Sequence, residues 1–185
     1  MSRLIAWVSP LGLVGALSGQ TLYQTERFVA PALSSAGTVV RTSLEIEVER
    51  WSNESDGEHL VAALRRGGID AVIAELQRHE AAGRLRGLNG LTRTIRYARE
   101  TRLTSGVRQL LFVFDPPVDR SELFAGTGSI EHRLAAIAVW LGPAGEGEGQ
   151  VTELARVGID SFGALTVDFR DPSVLLPSVT RQESR

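Results

Sequence analysis

The carboxylates of the segment "DPPVDRSE" are the first residues in this chain that could do chemistry. Asp115, Asp119 and Glu122 follow an apolar run that is typical of a β-strand. Two carboxylates about 5 to 10 Å apart can act as acid and base, or as acid and nucleophile, in the hydrolysis of a glycosidic bond. Asp before Pro is also common in turns, and Asp119 suits the cap of a short helical turn. The turn is the favoured interpretation, and a carboxylate-dependent hydrolase is the alternative.

A candidate binding site lies in "RTIRYARETR", where four arginines surround one tyrosine. On a strand, Arg93, Tyr97 and Arg99 share one face, and there arginine forks and an aromatic ring could hold an anionic ligand. The favoured interpretation is a solvated sheet face on which these arginines pair with glutamates of another strand. Those glutamates are Glu45, Glu47 and Glu49.

Each of the three histidines stands beside a glutamate, in the pairs Glu58-His59, His79-Glu80 and Glu131-His132. A zinc site needs three or four ligands that converge in space. No His-x-x-x-His or carboxylate spacing places such a set on one helix face. The sequence therefore predicts no metal site, and it predicts that His59 and His79 lie on the surface of helices.

The residue types that are missing exclude several chemistries. The 185 residues include no cysteine, and all 20 basic residues are arginine. A chain without cysteine has no disulfide and no thiolate, and a chain without lysine has no Schiff-base nucleophile and no phosphate-loop lysine. The formal net charge of -2 gives no general attraction to nucleic acid. No cofactor and no nucleic-acid partner are predicted.

Two helices are predicted in the middle of the chain. Ser55 and Glu58 have the spacing of a capping box, which starts the first helix, and the glycine pair at 67 and 68 ends it. The second helix is predicted to run from a cap at Asp70 to a stop at Gly83.

An alternation of apolar and polar residues predicts strands through most of the remaining chain, about seven or eight in number. "TRTIRYARET" and "GVRQLLFVFDPP" form a predicted hairpin with a turn at 104–106, and its second arm is expected to be buried on both faces. "EHRLAAIAVWL" fits a helix or a strand, and "GPAGEGEG" is predicted to be a hairpin turn. The predicted fold is one α+β domain over residues 19–185. Its mainly antiparallel sheet curls into an open barrel or sandwich, with a two-helix insertion.

The amino terminus has the layout of a secretory signal peptide. Arg3 precedes an apolar run from Leu4 to Leu17, and the small residues Ala16 and Ser18 precede a possible cut at Gly19. The run is about 14 residues long, whereas a bilayer crossing needs about 20. Residues 1–18 are therefore predicted to be a cleaved signal peptide of a periplasmic or extracellular protein. Membrane attachment is expected only if this segment is retained, and the alternative is a buried element of a cytosolic protein.

A family resemblance supports export. The segments "IEVERWS", "ALRRGGIDAVIAEL", "RYARET", "GVRQLLFVFDPPVDRSEL" and "GEGEGQ" occur in this order. The order resembles a group of small exported bacterial proteins, frequent in acidobacterial-type genomes, which have no assigned activity. The resemblance spans residues 38–181 and implies a signal peptide, but it supplies no catalytic residue. The strand before Pro116 departs from the usual run of that group.

The sequence is most compatible with an exported, non-enzymatic binding or interaction module whose partner is an unknown protein or small molecule. Its specificity is expected in loops and on the arginine-bearing sheet face. The alternatives are the periplasmic hydrolase and an accessory subunit of an envelope complex that retains its amino-terminal anchor.

Overall fold

A computed structural model describes residues 25–34, 42–87, 92–115, 134–152, 156–160, 163–169 and 174–182. The signal-peptide prediction lies outside these residues. The described residues form ten strands and one helix. In chain order these are β1 (Glu26–Ser34), β2 (Thr42–Val48), α1 (Glu54–Arg78), β3 (Gly83–Arg86), β4 (Thr92–Arg102), β5 (Arg108–Asp115), β6 (Ala135–Leu141), β7 (Glu146–Thr152), β8 (Arg156–Ile159), β9 (Leu165–Asp168) and β10 (Val174–Gln182).

Eight of the strands close into an antiparallel barrel in the order β1, β10, β7, β6, β5, β4, β3, β2. β1 pairs with β2 on one side and with β10 on the other, so the sheet returns to its first strand. The predicted α+β architecture with a mainly antiparallel sheet is confirmed. The predicted open barrel or sandwich is wrong, because the last strand of the described chain pairs with the first.

Two insertions interrupt the order of the barrel strands. Helix α1 stands between β2 and β3, and the hairpin of β8 and β9 stands between β7 and β10. Both insertions pack on the outer face of β4, β5 and β6, where they also contact each other. The molecule therefore has one apolar core inside the barrel and another between the barrel wall and the insertions.

Strand β5 contributes to both cores. Leu110, Phe112 and Phe114 point into the barrel and are 0 to 1% exposed, while Val113 points outward under the insertions and is also 1% exposed. Alternate residues of a strand point to opposite faces, so the apolar stretch from Leu110 to Phe114 contributes to both cores. This confirms the predicted burial of the second hairpin arm on both faces.

Helix α1 is a single element, so the predicted pair of helices is wrong. The glycine pair does not end the helix but kinks it: Gly67 and Gly68 have non-helical backbone angles, with φ 64° and ψ -152° at Gly68. The cap also differs from the prediction. Asn53 accepts from the backbone N–H of Asp56 and the Asp56 carboxylate accepts from that of Asn53, which is a capping box two residues before the predicted one. The helix ends at Arg78, before the predicted stop at Gly83.

The two predicted hairpin turns are confirmed. The turn between β4 and β5 contains Gly106 at φ 82°, and that between β6 and β7 contains Gly145 at φ 79°. In the segment that fitted either a helix or a strand, Ala135–Leu141 forms β6. Its partner β7 approaches so closely that a Cβ atom at Gly147 would collide with the carbonyl oxygen of Trp140.

An ion-pair network closes one mouth of the barrel. The Arg108 guanidinium donates to both carboxylate oxygens of Glu100, at 3.1 and 2.8 Å, and to Glu26 at 3.1 Å. Glu26 also pairs with Arg181 at 3.0 Å and accepts from the indole N–H of Trp51 at 3.3 Å. The Arg108, Glu26 and Glu100 side chains are only 12 to 18% exposed. Five charged and aromatic groups from across the barrel therefore meet at one end.

In the part of the chain that the structure describes, no helix has the length and apolar character needed to cross a lipid bilayer.

Candidate binding site on the outer face of the barrel

A bulge in β4 decides which side chains of this strand face outward. Ile95 pairs with Phe114, and Tyr97 pairs with Val113, so Arg96 is the extra residue. An extra residue shifts the alternation by one position. Ile95 therefore points into the barrel and Tyr97 points outward beneath the insertions.

The bulge separates the arginine and tyrosine residues that the sequence placed on one face. Tyr97 and Arg99 lie together on the outer face. Arg93 lies before the bulge, opposite Leu85 of β3, and Leu85 points into the barrel. The shared face is thus correct for Tyr97 and Arg99 and wrong for Arg93. Sequence reasoning missed this because a bulge leaves no clear mark on an alternating pattern.

The chain after β2 positions the helix above Tyr97. The Ser52 N–H donates to the Ala98 carbonyl at 2.7 Å, and the Ser52 hydroxyl accepts from the Ala98 N–H at 3.0 Å. These bonds fix the residue before the Asn53 cap against β4. Gly57 then lies directly over the phenol, because a Cβ atom there would be 3.2 Å from the Tyr97 hydroxyl oxygen. The absence of a side chain at this position leaves room for the tyrosine hydroxyl.

Two clefts adjoin this part of the barrel wall. The helix cleft, about 500 Å³, lies between the first half of α1 and β4, and its lining includes Tyr97, Arg99, Arg65 and Leu165. The hairpin cleft, about 740 Å³, lies between the hairpin of β8 and β9 and the strands β4 to β7. Its apolar lining includes Leu111, Trp140, Val157, Val167 and Phe169. Its charged lining is Arg99, Arg156, Asp160 and Asp168.

Arg99 is the charged residue that lines both clefts. Burial raises the pKa of the Tyr97 phenol, and the nearby Arg99 guanidinium offsets part of this effect. The phenol is therefore neutral near pH 7 and can both donate and accept a hydrogen bond. Among the described residues, Arg99 forms no ion pair with a carboxylate. Its guanidinium is available to an anionic group that enters either cleft.

Two glutamates of β2, and Glu49 directly after it, pair with arginines from the neighbouring strands. Glu47 binds Arg27 of β1 at 2.9 Å, and Glu49 and Glu45 bind Arg84 and Arg86 of β3 at 2.6 and 3.4 Å. The prediction that these glutamates pair with the arginines of β4 is wrong, because β3, which the sequence did not reveal, lies between β2 and β4 and supplies two of the partners.

The carboxylate site cannot be assembled from the described residues. Asp115 is the last residue of β5 and its backbone pairs with Thr94. Asp119 and Glu122 lie outside the described residues, as does the side chain of Asp115. The hydrolase alternative therefore remains a prediction.

The histidines do not all lie where the sequence placed them. His59 is exposed, as predicted, but the prediction of a surface position is wrong for His79, whose side chain is only 8% exposed. Ligand atoms of His59, Glu75 and His79 lie within 4.8 Å of one another. Ligand spacing along one helix face does not reveal this group, because the kink at Gly67 and Gly68 brings the two halves of α1 together. The spacing of four residues between Glu75 and His79 could have indicated that these two side chains lie close together.

No family model, no curated protein and no solved structure matches this chain. The resemblance to small exported bacterial proteins therefore stays a prediction.

Proposed function

We propose that the protein is an exported, non-enzymatic binding module that holds a small amphipathic molecule by an anionic group at Arg99. The observation that supports this most is the position of the Arg99 guanidinium, which adjoins two clefts and has no carboxylate partner among the described residues. A guanidinium next to apolar surface binds carboxylates strongly, since its donors are fixed in a planar fork and are weakly hydrated.

The composition of the hairpin cleft suggests what accompanies the anionic group. Trp140 and Leu111 of the barrel wall face Val157, Val167 and Phe169 of the hairpin region across the cleft. Ligand sites of this kind are lined mainly by apolar side chains, with a few polar groups that set the orientation. The ligand is accordingly a molecule with an apolar body and a single anionic end.

Calorimetry with dodecanoate below its micellar concentration tests the proposal. We expect one dodecanoate per chain. Dodecyltrimethylammonium has a similar apolar tail and the opposite charge, so we expect at least about tenfold weaker binding. Arg99→Gln is expected to weaken dodecanoate binding by about 10- to 100-fold, because a hydrogen bond to a charged group contributes about 1.5 to 3 kcal/mol.

Arg84→Gln is the matched control, since it removes the same charge from an exposed ion pair on β3. It should leave dodecanoate affinity unchanged. Trp140→Ala should weaken binding of both amphiphiles to a similar extent. Equal dodecanoate affinities of the Arg99 and Arg84 variants, or failure of the unaltered chain to bind dodecanoate, would refute the proposal.

A further inference from the structure

The kinked helix brings together three side chains that are suited to binding a metal ion. His59 lies in the first half of α1 and Glu75 in the second, and His79 is the residue that caps its end. In a straight helix, His59 and Glu75 would be roughly 24 Å apart, given a rise of about 1.5 Å per residue. Their ligand atoms lie within 4.8 Å of each other and of a ring nitrogen of His79. The convergence therefore depends on the kink at Gly67 and Gly68.

The His79 ring is buried and lacks hydrogen-bond partners among the described residues. The side chain is more than nine-tenths buried, and neither ring nitrogen forms a hydrogen bond with any described residue. Leaving a buried polar group without a hydrogen-bond partner is unfavourable. Its Nε2 lies 3.8 Å from Oε1 of Glu75, which is too long for a hydrogen bond. This separation leaves room for an ion between the two atoms.

Two carboxylates lie near His79, and each is held in place by an arginine. The other carboxylate oxygen of Glu75 binds Arg78 at 3.1 Å, which fixes the carboxylate while Oε1 faces His79. Asp56 adds a second negative charge close to His79, and its own pair with Arg50 at 2.8 Å holds it in place. The His79 carbonyl accepts from Arg96 at 3.3 Å, so the residue is anchored by its backbone and its ring is not needed for that purpose.

We propose that His59, Glu75 and His79 form a binding site for a divalent transition-metal ion such as Zn(II). Two imidazole nitrogens and one carboxylate oxygen are a ligand set that such ions prefer over Mg(II) or Ca(II). Ligand atoms around tetrahedral zinc are about 3.3 Å apart, so side-chain movements that shorten these separations by up to about 1.5 Å complete the geometry. Because His59 is exposed, the fourth position faces solvent and is open to water or a small ligand.

This site is independent of anion binding at Arg99, and its test uses the metal alone. The full chain, without a histidine tag and stripped with EDTA, is titrated with ZnCl2 by calorimetry and with CoCl2 by visible absorption. We expect one ion per chain and cobalt bands typical of nitrogen and oxygen ligands. At a free zinc concentration of 100 times the dissociation constant, the Tm should rise by about 5 to 10 °C.

His59→Ala is the decisive variant, because His59 is exposed and its replacement leaves the buried core intact. We expect zinc affinity to fall by more than about 100-fold, since loss of a direct ligand exceeds the cost of losing a supporting residue. Glu75→Gln should act in the same direction. The neighbouring Glu58→Gln is the control and should bind zinc like the unaltered chain.

Two results would overturn the proposal. One is a His59→Ala chain that binds zinc as tightly as the unaltered protein, or an unaltered protein that binds none at micromolar concentrations. The other is loss of binding in His132→Ala with retention in His59→Ala, which would assign the ion to a different part of the chain.

Discussion

Substitution of Gly68 tests whether α1 is kinked. A kinked helix predicts that Gly68→Ala destabilises the protein, and a straight helix predicts that it stabilises the protein. Gly68 has φ 64° and ψ -152°, a region of backbone conformation that is essentially restricted to glycine. A Cβ atom at this position would meet no atom within 4 Å. The effect of Gly68→Ala is therefore backbone strain alone.

We expect Gly68→Ala to lower the free energy of unfolding by about 1 to 3 kcal/mol, the usual cost of such strain. In a domain of this size, that change lowers Tm by roughly 2 to 12 °C. Urea denaturation followed by circular dichroism measures it. The control is Arg66→Ala, which changes an exposed position of the same helix and should alter stability by less than about 0.5 kcal/mol.

An increase in the free energy of unfolding of Gly68→Ala would refute this prediction. If α1 were straight at this point, Gly68→Ala would stabilise the protein by up to about 1 kcal/mol, because alanine favours a helix over glycine by that amount. A stabilised variant would therefore mean that the kink is not native. It would also remove the physical basis for the convergence of His59 with Glu75.

The ion-pair network and the closest strand contact give two further predictions. Arg108→Met should destabilise the protein by about 1 to 3 kcal/mol, since it removes the partner that Glu26 and Glu100 share and leaves each of these largely buried carboxylates with one other arginine. Burial alone would raise the pKa of Glu100, but Arg108 and Arg102 outweigh it and lower the pKa. This stabilisation is present above the ordinary pKa of a glutamate, about 4.3, and is lost as the pH falls through the lowered value, so Arg108→Met should flatten the loss of stability in acid. Gly147→Ala should open the pairing of β6 and β7 and reduce soluble, folded protein, because its Cβ would collide with the Trp140 carbonyl.

Each of these predictions has a matched control. Arg84→Met breaks an exposed ion pair with Glu49, and we expect a change of about 0 to 1 kcal/mol. Gly142→Ala lies in the same hairpin as Gly147, and its Cβ would have only an ordinary contact of 3.5 Å. If either control were as destabilising as its counterpart, burial of the network or the tightness of the hairpin would not be the cause.

Local patterns in the sequence predicted the strands better than the way in which they assemble. The apolar run of β5 and the glycines at 106 and 145 indicated a buried arm and two turns, and all are present. Closure of the barrel depends on pairing between β1 and β10, which are about 150 residues apart. The apolar pattern of neither strand indicates its partner. Tertiary pairing of this kind is not readable from periodicity.

For the candidate site residues too, the local pattern was predicted better than the assembly. Tyr97 and Arg99 were identified as a candidate pair from a local pattern, and they share the helix cleft. The separation of Arg93 depends on a one-residue bulge, and the group around His79 depends on a backbone turn of two glycines. Small departures from regular geometry therefore decided which side chains meet, and single-sequence patterns do not encode them.

Closure of the barrel also limits how another protein can attach to it. Every barrel strand already has a hydrogen-bonded neighbour on both sides, so a foreign segment cannot join the barrel by strand addition. Among the described residues, β8 and β9 pair only with each other. Among the described strands, pairing with a strand of a partner protein is therefore restricted to that hairpin.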